Sequence, residues 1–141
     1  MPDKTVATHA DIAAFIETVE PARRRAEASV LLGLMSGITG MEPRMWGPSI
    51  IGFGRYAYRY DSGRSGESFL TGFAPRKAAS VVYVMPGFKP YEAQLACLGP
   101  HKHSVSCLYL SNLQKNDLSA LEEIIADSVE RMKSKYEWRE V

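Results

Sequence analysis

The chain has 141 residues, and its 17 basic and 16 acidic side chains leave a net charge of +1. That length suits one domain rather than two, and it can bury a core without a metal or disulfide staple. With 45% hydrophobic and 23% charged residues the composition is globular, which excludes a disordered tail protein. A balance this close to neutral also excludes nucleic-acid or membrane binding driven by a whole-molecule field.

Cys97 and Cys107 lack CxxC spacing and sit in apolar stretches, so they are read as buried free thiols of a reducing compartment. Residues 1–5 open no apolar run, which argues against a signal peptide. The longest apolar stretches, such as 81–85, fall far short of the roughly 20 residues that span a bilayer. A cytoplasmic protein with no membrane contact is the expectation.

In chain order, Thr8 to Asp11 read as a capping box, with Thr8 as N-cap, for a helix whose Ile12, Phe15, Ile16 and Val19 share a face. Pro21 stops that helix and starts another, in which Ala26, Val30, Leu31, Leu34 and Ile38 keep the period until Gly37 and Gly40 end it. Arg23, Arg24 and Arg25 in its first turn oppose the helix dipole and are read as a solvated start. His9 reads as a surface residue.

After Pro48 the period becomes two. Residues 49–60 put Ile51, Phe53, Arg55, Ala57 and Arg59 on one face, and Gly52, Gly54, Tyr56, Tyr58 and Tyr60 on the other. Residues 61–66 form a loop, 67–74 the returning strand, 75–78 a turn and 80–85 a third strand. A short helix over 90–98 with Gly99 beyond its end, a polar loop at 101–103 and a fourth strand at 104–110 follow. The last helix is capped by Asn116 or Asp117 and carries Leu118, Leu121, Ile124, Ile125, Val129 and Met132 as its apolar stripe. The predicted fold is one α+β domain over 1–141: an antiparallel sheet of about four strands, two N-terminal helices, a short helix before the last strand and a long C-terminal helix.

Several blocks are distinctive in wording. Residues 45–54 read Met-Trp-Gly-Pro-Ser-Ile-Ile-Gly-Phe-Gly, with Tyr56 and Tyr58 after them, and 70–77 read Leu-Thr-Gly-Phe-Ala-Pro-Arg-Lys. Val84 to Phe88, Leu98 to Lys102 and Ser106 to Tyr109 continue the series. In this order the blocks resemble the YdhG-like domain-of-unknown-function family, over roughly residues 10–135. The resemblance implies a compact α+β fold of the kind compared with frataxin. It implies no assigned reaction, although one branch of the family has been connected with iron delivery by that analogy.

Frataxin-like iron handling would need a ridge of exposed carboxylates. The nearest residues are Asp11, Glu17 and Glu20 in the first helix and Glu122, Glu123, Asp127 and Glu130 in the last, with Arg131 and Lys133 close by. The basic residues concentrate elsewhere: residues 46–111 alone carry seven basic and three acidic groups. A small anionic or polar ligand beside the sheet is therefore the leading expectation. Trp46 would supply an apolar wall, Ser49 and Tyr58 hydroxyls, and Arg76, Lys77, His101 and Lys102 positive potential.

His101 and His103 have no carboxylate or thiolate beside them, so no metal site is expected. A Cys107–His101 pair lacks the surroundings of a catalytic thiol, and no Ser–His–Asp set, P-loop or carboxylate pair occurs. No catalytic residue and no cofactor is assigned. Tyr56 and Tyr58 alternate in direction with Arg55 and Arg59, so they offer no stacking groove for nucleic acid. The alternatives are metal handling by the helix carboxylates and a protein-interaction or homodimer module using an open sheet face.

Overall fold

Asp11 opens the first helix. Its carboxylate accepts from the Ala14 amide at 3.1 Å and caps α1 (Ile12–Glu17), so the N-cap is Asp11 and not Thr8. Thr8 belongs instead to β1 (Ala7–Thr8), paired with Trp46 and Met45. The computed structural model describes residues 7, 8, 10–59, 63 and 65–141; His9, Tyr60 and loop residues 61, 62 and 64 lie outside the described residues.

Helix α2 (Ala22–Thr39) runs through Gly37 and ends at Gly40, whose φ of 65° is the left-handed conformation that glycine adopts without strain. Its buried side chains are Arg24, Glu27, Ala28, Leu31 and Met35, while Ala26 and Val30 are exposed. The apolar period gave the wrong phase because two of the inward positions are charged. Arg24 and Glu27 are only 1% and 4% exposed, so the first turn is not a solvated start.

The strands are β2 (Pro43–Trp46), β3 (Ile50–Phe53), β4 (Arg55–Arg59), β5 (Ser65–Ser68), β6 (Thr71–Pro75), β7 (Ser80–Tyr83), β8 (Lys102–His103), β9 (Cys107–Leu110) and β10 (Trp138–Arg139). They build a seven-stranded antiparallel sheet in the order β1-β2-β3-β6-β7-β9-β8 and a three-stranded one in the order β10-β4-β5. Among the described residues this gives ten strands and four α-helices, which corrects the expected sheet of about four strands. Strands β1, β8 and β10 have two residues each, too short to show any alternation. The single strand expected over 49–60 is cut at Gly54, and its halves belong to different sheets.

That cut leaves the register intact. Ile51 pairs with Phe73, and five residues along each strand Tyr56 pairs with Ser68, so β3–β4 and β5–β6 form one long ribbon with a kink. Gly54 makes the kink at φ 69°, and a Cβ there would stand 2.6 Å from Leu70 Cδ1. The kink also shifts the pleat. Tyr56 joins Ile51 and Phe53 in the core and Tyr58 packs against it, whereas the sequence pattern put those tyrosines on the opposite face.

Met45, Ile51, Phe73, Val82 and Leu108 stand in one row across the sheet and face the helices. Helix α2 lies along β6, and α4 (Leu118–Lys135) packs on α2 and β6. Asp117 caps α4, accepting from the amides of Ser119 and Ala120. Helix α3 (Glu92–Leu98), entered by a 3₁₀ turn over Lys89–Tyr91, packs along α4. Cys97 is exposed on α3 and Cys107 half-buried on β9, which corrects the expectation of two buried thiols.

Candidate functional site

The residues named from sequence fall in four places. Ser49 and Arg76 meet: the guanidinium Nη1 donates to the Ser49 hydroxyl at 2.6 Å, at the exposed end of the β6–β7 hairpin. Trp46 is nearby in sequence but 2% exposed, and its ring lies directly over Gly52. A Cβ at Gly52 would stand 2.6 Å from Trp46 Cδ1 and 2.9 Å from Phe69 Cβ. Aromatic side chains therefore fill the space over Gly52. The Trp46, Phe69 and Tyr83 rings stack edge to face over it, with centroids 5.5 and 5.3 Å apart.

Lys77 is exposed, and its carbonyl, like that of Arg76, accepts from the buried Arg24 guanidinium. Tyr58 lies in the second sheet, where it is paired with Gly66 and packed near Tyr56. His101 and Lys102 belong to the far edge of the large sheet. The His101 Nδ1–H donates to the Gly99 carbonyl oxygen of its own loop at 2.8 Å, and the ring stacks on His103, which rests on Phe88. Strands β7 and β9 separate that edge from β6, which puts the two basic loops about 14 Å apart at the backbone.

One cavity of about 270 Å³ lies at β4 and β10, lined by Tyr56, Glu67 and Trp138 among others, and a more extended concave surface runs along α4, between it and residues 85–98. A cavity of about 590 Å³ is lined by Pro90, Tyr91, Gln94, Glu123, Asp127 and Arg131, among others. It adjoins one of about 570 Å³ lined by Met85, Pro86, Lys135 and Tyr136, and both share Pro90, Glu130 and Arg131. A smaller one, of about 300 Å³, continues past Gln94 and Cys97 toward the start of α4. The end of α3 is tied to the start of α4: the Leu98 carbonyl accepts from the Asp117 amide at 2.9 Å and from the Asn116 side chain at 3.2 Å. Neither Arg76 nor His101 lines any of these cavities.

A charged cluster stands where the two larger cavities meet. The Tyr91 hydroxyl donates to Asp127 Oδ2 at 2.8 Å, and Arg131 Nε donates to the same oxygen at 2.5 Å. The guanidinium also lies over the Tyr91 ring, 5.9 Å from its centroid. Burial, then the hydrogen bond to Asp127, pushes the Tyr91 phenol well above its ordinary range, so it remains a proton donor. The hydrogen bonds from Arg131 and then Tyr91 hold the Asp127 carboxyl below its usual value. Asp127 in turn raises the Arg131 guanidinium. At the junction, a fixed carboxylate, a fixed cation and a fixed phenol point at the same space.

The sign of the pH effect follows from the lowered Asp127 value. A depressed carboxyl contributes stability that is complete above about pH 4 and is lost as the pH falls through the folded value. Both members of the ion pair are about half exposed, so solvent screening keeps the contribution small. Thermal melts between pH 2 and 6 should therefore show the wild type losing its small advantage over Asp127→Asn at the acid end. An advantage independent of pH would mean that the pair does not form.

Of the last-helix carboxylates named from sequence, Glu123, Asp127 and Glu130 line the groove. What the sequence missed is that Asp127 is already committed to Arg131 and Tyr91. The i, i+4 spacing of Asp127 and Arg131 was a usable signal, but Tyr91 is 36 residues away and only folding brings it there. Among the described residues, no three His, Cys, Asp or Glu side chains gather so as to hold a metal ion. Among the same residues, no helix is long and apolar enough to cross a membrane. Compared with family models, with curated proteins and with solved structures, the chain matches none.

Proposed function

We propose that the chain is a cytoplasmic accessory domain of the YdhG-like type that binds a small polar molecule, and that the ligand sits in the groove between α3 and α4. The observation that carries this reading is the Tyr91–Asp127–Arg131 cluster at the junction of two cavities. Concave sites with a few convergent polar groups on mostly apolar walls are where small molecules bind. Gln94 adds to the set, because its Oε1 is shielded from solvent and has no partner among the described residues. The ordered blocks from 45 to 109 support the YdhG-like reading, and two free cysteines without CxxC spacing support a reducing compartment.

Thermal-shift screening with a panel of small carboxylates, phosphates, amines and amino acids tests the proposal. A compound present at 100 times its Kd should raise stability by about 2.7 kcal/mol. Arg131→Ala should remove that gain while changing the ligand-free melting temperature little, since solvent screens an exposed ion pair. A panel without a single stabilising compound, or stabilisation that survives in Arg131→Ala, would overturn it.

A further inference from the structure

Resting on the groove reading, the geometry points to a zwitterion as the ligand: an α-amino acid with an apolar side chain. The ion pair at the junction is engaged on one side only. Both Arg131 Nε and the Tyr91 hydroxyl use the same carboxylate oxygen, Oδ2. Asp127 Oδ1 and the two terminal guanidinium nitrogens make no hydrogen bond among the described residues. A cation acceptor and an anion donor thus stand side by side, held by their shared bond. An ammonium and a carboxylate on one carbon carry the complementary pair of charges. The α-ammonium would sit on Asp127 Oδ1, and the α-carboxylate would take the Arg131 fork.

Neither half of that ligand suits the site alone. A plain carboxylate would meet Arg131 but also the charges of Asp127 and Glu130. A plain amine would meet Asp127 but also Arg131 and, in the adjoining cavity, Lys135. Like-charge contacts of this kind reject the wrong partner as strongly as the matched contacts favour the right one. The side chain of the ligand has a wall to meet as well. Met85, Pro86, Met132 and Tyr136 line the cavity beyond Arg131, whereas the opposite direction holds Gln94 and Glu123. An aliphatic side chain pointing toward Tyr136 buries apolar surface, and a charged one has no partner there.

The test titrates three probes into uniformly ¹⁵N-labelled protein and follows the amide spectrum: L-leucine, 4-methylpentanoate, which lacks the ammonium, and 3-methylbutylamine, which lacks the carboxylate. L-leucine should shift the amides of 123–136 and of α3, and bind at least tenfold more tightly than either truncated probe. Asp127→Asn should erase the preference over the carboxylate, and Arg131→Gln the preference over the amine. Leucine binding at the groove that is matched within threefold by either truncated probe would overturn the zwitterion and leave the groove reading standing. A truncated probe that shifts these amides where L-leucine does not would have the same two consequences. If none of the three shifts groove amides, the zwitterion falls; if the stabilising compounds of the thermal screen also leave those amides unmoved, the groove falls with it.

Discussion

Glu27→Ala should destabilise the protein by about 3–5 kcal/mol, the cost of leaving a buried charge without its partner. Glu27 accepts from Arg24 Nη1, from the Ser80 hydroxyl at 2.8 Å and, through its other oxygen, from the Leu113 amide at 2.8 Å. Arg24 completes the set by donating to the carbonyls of Arg76, Lys77 and Ser111. One salt bridge therefore ties α2 to the β6–β7 turn and to the loop that leads into α4. Removing the carboxylate strands a guanidinium, a hydroxyl and an amide in a region excluded from water. For a domain of this size the loss corresponds to roughly 10–20 °C in Tm. The double variant Arg24→Met with Glu27→Leu should recover only the part due to the stranded guanidinium, because Ser80, Leu113 and three carbonyls still lose their partners. Urea unfolding of wild type, the single variant and the double variant checks both statements. A Glu27→Ala protein within 1 kcal/mol of wild type would show that the network contributes nothing.

Trp46→Ala should cost a similar amount, about 3–5 kcal/mol, for a different reason. The ring is 2% exposed, fills the space above Gly52 and meets Phe69 edge to face. Its loss opens a cavity under Phe69 that the backbone of β2 and β3 is too constrained to close. Trp46→Phe should retain more than half of the stability. The indole N–H has no partner among the described residues, so its removal sacrifices contact area and no hydrogen bond. Arg76→Ala, on the exposed side of the same region, should change stability by less than about 0.5 kcal/mol. Denaturant melts decide the matter: equal, small effects at Trp46 and Arg76 would mean that Trp46 belongs to a surface and not to the packed outer layer of the sheet.

The groove and the sequence-named loops differ in a way that the charge pattern makes plain. Basic residues concentrate in the middle of the chain, yet that segment spreads them along a hairpin end and a sheet edge that β7 and β9 keep apart. The cluster that converges lies on α4, in a segment with seven acidic and five basic groups. Convergence depends on which elements pack, and local charge density carries no information about it.

By itself the sequence determined what rests on local physics. Period-two alternation and turn residues marked the ribbon of 49–74, Asp117 was one of two caps offered for the last helix, and the apolar stripe of that helix is buried from Leu121 to Met132. Mixed α and β composition was legible for the same reason. Only the tertiary structure decided the rest. Two-residue strands exist because a neighbour supplies their hydrogen bonds, so β1, β8 and β10 leave no trace in their own residues. Arg24 read as solvated because nothing local shows that Glu27 is buried beside it, satisfied by Ser80 and Leu113, or that three carbonyls arrive to meet the guanidinium. Tyr91 joins Asp127 and Arg131 only when α3 is laid against α4, since a hydrogen bond between distant residues exists only once long-range packing has brought them together.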